Sequence, residues 1–140
     1  MPTRIVVETN VLISALIGST APRRELIRRC LRYDYQPLVG TTLFCEYESV
    51  SSRPDILELC PIEQSEVDTI VQSFVSISEW ISIYYSWRPN LKDEADNHLI
   101  ELAIAGNAHA IVTHNIKDFK NADLFFPELV ILKPEDILRK

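Results

Sequence analysis

The chain has 140 residues, 46% hydrophobic and 24% charged, with a formal net charge of −6. Length and balance predict one folded domain over 1–140, large enough to bury a core without disulfide or metal staples, and exclude a disordered or repetitive chain. Acidic charge disfavours a general nucleic-acid binder, which needs Lys and Arg against phosphate, but leaves room for a local basic patch. Apolar runs fall far short of the roughly 18 residues of a membrane span and no signal-like segment opens the chain, so a cytoplasmic location is expected.

Residues 4–8, RIVVE, predict a strand buried on both faces of a parallel sheet, and Thr9 or Asn10 the cap of a helix carrying VLISAL. A second helix begins near Pro22 and runs to about Tyr33. Leu26, Ile27, Cys30 and Leu31 share its apolar face, and Arg24, Arg28, Arg29 and Arg32 line the other. YQPLVG, residues 35–40, reads as a strand, and Thr41 or Thr42 as the cap of a helix carrying Cys45, Glu46 and Val50. RPDI is a break. From Pro61 a longer helix follows, with Val67, Ile70, Val71, Phe74 and Val75 at helical spacing. WISIYY, residues 80–85, reads as a strand. Asp93 to Gly106 predicts a helix, acidic in its first turn and closed by glycine. HAIVT, residues 109–113, is a strand, HNIKD a polar loop, Leu129 to Leu132 an edge strand, and Pro134 starts a terminal helix. Strands alternating with helices predict a parallel α/β sandwich.

In open α/β sheets the functional crevice lies beyond the carboxyl ends of the strands. Glu8 ends the first strand, and the loop from Thr113 to Asp118 follows the fourth, so both reach that edge. Asp93 and Asp96 share a helix face, and Glu46 points toward the same crevice from the helix after the second strand. Converging acids repel one another unless a cation neutralises them, and oxygen ligands suit Mg²⁺ or Mn²⁺ better than zinc. Such a cluster activates water and stabilises charge developing on a phosphate, the chemistry of metal-assisted phosphodiester hydrolysis. Taken singly, each acid also reads as an ordinary helix-terminus or surface residue. Glu8 is the exception, since a carboxylate directly after Ile5, Val6 and Val7 has no evident structural use.

The stretches RIVVETNVLISAL and DEADNHLIELAIAGNAHAIVTHNIKDF, with Glu46 between them, resemble a PIN domain of the VapC-like toxin group over Arg4 to about Leu132. The resemblance implies a PIN-like three-layer α/β/α sandwich with a central parallel sheet of four to five strands. It also implies a Mg²⁺- or Mn²⁺-dependent endoribonuclease acting on RNA, an antitoxin protein partner and a homodimer. Carried over by position, the catalytic acids are Glu8, Glu46, Asp96 and Asp118, with Asp93 as a further metal ligand. Thr9, Asn10, Thr113 and Asn115 fall on polar positions that orient the acids or the phosphate. One position departs from the family pattern, which has Asp where this chain has Glu8. The extra methylene adds about 1.5 Å of reach, and a misplacement of about 1 Å at a catalytic centre costs on the order of 10²-fold in rate. Weakened catalysis, a preference for Mn²⁺, and normal work after a small backbone adjustment all remain open. The alternative reading is therefore a PIN-fold RNA- or partner-binding protein in which cleavage is weakened.

Other features carry less. His98 is expected on a different helix face from Asp96, and no histidine has metal-ligand spacing with another histidine or a cysteine. His114 reads equally as a phosphate contact or a solvated loop residue. Cys30, Cys45 and Cys60 read as reduced thiols packing on helix faces, and the arginine stripe as a solvated face or an RNA or antitoxin contact. Trp80, Tyr84, Tyr85 and Trp87 read as strand packing, base stacking or a dimer interface. A phosphoryl-accepting switch fits poorly, because no acceptor aspartate follows a middle strand.

Overall fold

Ile5, Val6 and Val7 are fully buried, as their β-branched run predicts, and they form the centre of a five-stranded sheet. A computed structural model describes residues 2–18, 21–83, 97–119 and 128–139, apart from the side chains of Ala21, Asn97 and Asp118. In chain order the described elements are β1 (Thr3–Val7), α1 (Thr9–Ile17), α2 (Ala21–Leu31), β2 (Tyr35–Val39), α3 (Thr41–Ser51), α4 (Pro54–Leu59), α5 (Gln64–Ser76), β3 (Glu79–Trp80), α6 (Asn97–Ala105), β4 (Ala110–Val112), a 3₁₀ turn (Ile116–Phe119), β5 (Val130–Leu132) and α7 (Pro134–Leu138).

Among the described residues every strand pairing is parallel, and the sheet order is β3-β2-β1-β4-β5. The chain builds outward from β1 to β3, then returns to the other side of β1 for β4 and β5. The strand order therefore reverses between β1 and β4, which is where open α/β sheets leave a crevice. Helix α6 packs on β1, β2 and β4, while α1, α2, α3 and α5 pack on one another and α2 on β2. This is the predicted sandwich of a parallel sheet between helices.

The structure alters several local expectations. RPDI is less a break than a start: Pro54, which needs no amide partner at the first helical position, opens α4. Helix α5 begins at Gln64 rather than Pro61, and its apolar stripe buries Val67, Val71 and Phe74. Strand β3 covers only Glu79–Trp80. Tyr84, Tyr85 and Trp87 lie outside the described residues, and Trp80 is exposed, edge-on to Phe44 at 5.8 Å. Neither Thr9 nor Asn10 caps α1, and neither Thr41 nor Thr42 caps α3: Glu8 and Gly40 hold those positions without side-chain cap bonds. Gly106 does follow α6, but the left-handed residue there is Asn107, at φ 55°. Gly106 serves close approach instead, since a Cβ would stand 2.6 Å from Leu38 Cδ1.

The cysteines divide by burial. Cys30 lies in the core and its thiol is pushed up to about 12, chiefly by burial; Cys45 is exposed, against expectation. Because the thiolate is the nucleophile, iodoacetamide near neutral pH is expected to label Cys45 in the native protein and to spare Cys30 until urea is added. Peptide mass mapping checks this, and native labelling of Cys30 at the unfolded rate would contradict the packing of α2.

Candidate active site

Register places the first two site residues. Ile5, Val6 and Val7 pair with Ala110, Ile111 and Val112, so Glu8 and Thr113 are the next residues along two neighbouring strands. The Glu8 amide donates to the Val112 carbonyl at 3.0 Å, ending the ladder. Beyond it the side chains meet: Thr113 Oγ1 donates to Glu8 Oε2 at 2.7 Å. The Asn115 amide in turn donates to Thr113 Oγ1 at 3.0 Å, fixing the hydroxyl's direction. Both Glu8 and Thr113 are buried, at 7% and 0% exposure. Glu8 is extended at the start of α1, where helix backbone dipoles favour an anion, yet its side chain caps no amide. Its carboxylate thus reaches across to the β4 edge.

Glu46 arrives from α3, which begins directly after β2 at the same edge of the sheet. Thr9 Oγ1 donates to Glu46 Oε1 at 2.7 Å, and His98 Nε2 lies 3.2 Å from Glu46 Oε2. The hydrogen bond from His98, assisted by that from Thr9, holds the Glu46 carboxyl below the usual carboxylate range against the opposing effect of burial. It is ionised at neutral pH. Its neighbour Tyr47 points the other way and is fully buried, donating its phenol to the Val7 carbonyl at 2.5 Å. Consecutive residues of α3 therefore do different work: Tyr47 anchors the helix to the end of β1, and Glu46 is presented beside Thr9, next in sequence to Glu8.

Of the other expected residues, Asn10 and Asn115 are exposed at the rim, on the first turn of α1 and in the loop after β4. Asp118 falls within the 3₁₀ turn, where a plain loop was expected, but its side chain lies outside the described residues, as do Asp93 and Asp96 entirely. Among the described residues no group of three His, Cys, Asp or Glu side chains forms a cation site. The donor set that is described fits a hard divalent ion. Two carboxylates, the oxygen donors such an ion takes, stand on adjoining elements, Glu8 accepting from the Thr113 hydroxyl and Glu46 held by Thr9 and His98.

Two residues escaped the sequence reading. His98 was expected on an unrelated face but reaches Glu46, and Tyr47 carried no signal beyond its neighbour. Spacing along one helix could not reveal a partner on another. His114 is half-buried, its Nε2 shielded from solvent, and burial with Arg23 nearby lowers its pKa. That excludes the solvated-loop reading.

A family model described as PIN domain matches residues 4–117. The fold is similar to that of a chain in the crystal structure of VapBC2 from Rickettsia felis bound to a DNA fragment from their promoter. The TM-score is 0.60 and the identity 17%, over 94% of this chain and 98% of that one. Among curated proteins, none matches.

Proposed function

The chain belongs to the PIN-domain family, and from that premise we propose that it is a divalent-metal-dependent endoribonuclease, the toxin of a toxin-antitoxin pair. The observation that carries the reading is the Thr113–Glu8 hydrogen bond of 2.7 Å at the sheet's switch point, with Glu46 presented alongside through Thr9. A buried carboxylate is costly to maintain, and holding one at the mouth of the crevice without using it as a helix cap suits a cation site better than a structural one. Glu8, Glu46, Asp96 and Asp118 are the proposed acids that hold Mg²⁺ or Mn²⁺, with Asp93 as a further ligand. Bound there, the ion would supply Lewis acidity toward the scissile phosphate and offset the charge of the acids. Thr113 and Thr9 orient two of the carboxylates, while Asn10 and Asn115, both exposed, would position the RNA backbone. The nucleophile is water, since none of these side chains is a poised thiol or serine.

The same reading takes residues 1–140 as a single PIN-like domain in the cytoplasm, forming a homodimer and binding an antitoxin protein. Among the described residues no helix is long and apolar enough to cross a membrane. A second reading is favoured by one feature, Glu8 in place of the family's Asp: a PIN-fold RNA- or partner-binding protein with weakened cleavage.

Cleavage of a mixed RNA pool in Mg²⁺, Mn²⁺ and EDTA tests the proposal, with Asp96→Asn and Glu46→Gln run beside the natural chain. Cutting that requires metal and disappears in both variants supports the nuclease. No cutting above the variants in either metal sinks it and puts the binding module in front. Thr113→Val, which removes only the hydroxyl, is expected to lower cleavage about 10–100-fold with the circular dichroism spectrum retained; unchanged rates would show that Glu8 needs no orienting donor.

A further inference from the structure

The Glu46 carboxylate is gripped from two sides by elements far apart in the chain. Thr9 Oγ1, on the first residue of α1, stands 2.7 Å from Oε1, and His98 Nε2, on the second residue of α6, stands 3.2 Å from Oε2. The His98 side chain is 16% exposed and that of Glu46 40%. A half-exposed glutamate has several accessible rotamers, and ordering it costs conformational entropy. One donor leaves the carboxylate free to swing about that contact; two donors on opposite oxygens set its plane.

We propose that His98 is a positioning residue, whose Nε2–H fixes the orientation of the Glu46 carboxylate so that, with Thr9, it faces the crevice beside Glu8 ready to receive a divalent cation. This rests on the nuclease reading of the same acids. The imidazole acts through Glu46 and needs no contact with RNA. Each carboxylate oxygen keeps a further lone pair when it accepts from Thr9 or His98, so the grip leaves room for a cation. A histidine that merely filled space at the α3–α6 contact would depend on its volume and not on where its donor lies.

That difference defines the test. A glutamine amide nitrogen reaches about as far as imidazole Nε2, whereas an asparagine nitrogen falls at the place of Nδ1, short of Glu46. Mn²⁺ affinity by titration calorimetry, kcat and KM on RNA, and urea unfolding are to be measured for the full chain and for His98→Gln, His98→Asn and His98→Ala. Mn²⁺ affinity and kcat are expected to fall about 10–100-fold in His98→Asn and His98→Ala and to recover to within about threefold in His98→Gln, with KM little changed. Unfolding midpoints should not follow this order. Equal Mn²⁺ affinity in all four proteins, or a glutamine variant as weak as alanine, overturns the proposal. If RNA is cleaved equally by every variant, positioning fails and the nuclease stands. If nothing is cleaved but glutamine alone rescues Mn²⁺ affinity, positioning stands and the nuclease fails. A natural chain that binds no Mn²⁺ loses both.

Discussion

Glu8→Gln is expected to lower Mn²⁺-dependent RNA cleavage by at least about a hundredfold, more than the loss of an orienting neighbour costs, because it removes a ligand itself. Glutamine keeps the length of the side chain and can still accept from Thr113, so the fold should persist while the charge is lost. Glu8→Asp is the sharper comparison, since it restores the residue the family carries. In this chain the Thr113 hydroxyl already meets the longer side chain at 2.7 Å. Withdrawing the carboxylate by about 1.5 Å would break that contact, so aspartate should reduce cleavage by about ten- to a hundredfold. Initial rates on one RNA in Mg²⁺ and in Mn²⁺ decide it. An aspartate variant that cuts where the natural chain cuts in neither metal would mean that Glu8 disables the site, and the binding-module reading would take over.

The largest effect on stability should come from Phe74→Ala. Phe74 is fully buried on α5, and its ring meets that of Tyr47 edge-on, with centroids 5.8 Å apart and planes at 72°. Truncating a buried phenylalanine costs about 3–5 kcal/mol, transfer and cavity together, against a total of about 5–15 kcal/mol for a typical domain. Its position makes it informative about the site. Tyr47 rests on Phe74 and holds the Val7 carbonyl at the end of β1, one residue before Glu8, so the cavity should also loosen the support of the acids. Urea unfolding followed by circular dichroism should show a lowered midpoint with an unchanged slope. A loss below about 1 kcal/mol would mean that α5 does not pack as described.

Much of the scaffold was legible because its signals are local. The runs at 4–8 and 109–113 are β-branched, flanked by turn or cap residues, and too short for helices; Val67, Val71 and Phe74 recur at helical spacing. Both signals arise within a few residues, where side-chain direction follows backbone period. Ends were less legible, because a boundary depends on which amide finds a partner. Glu8 took the cap position where Thr9 or Asn10 was expected and Gly40 the one where Thr41 or Thr42 was, and Pro54 opened a helix where only a stop was read. The edge strand at Glu79–Trp80 came out shorter than its apolar sequence suggested, since a strand extends only as far as its neighbour, Leu38–Val39, can pair with it.

By itself, then, the sequence determined the alternation of strands and helices, the buried β1 run and the unusual carboxylate at its end, all through periodicity and composition over short windows. The tertiary structure decided what that carboxylate meets. Only the pairing of Val7 with Val112 brings Glu8 to Thr113, 105 residues later, and only the packing of α1 and α6 around α3 brings Thr9 and His98 onto Glu46. A hydrogen bond between distant segments leaves no period in the chain, because its geometry is set by register and helix packing rather than by neighbours in sequence.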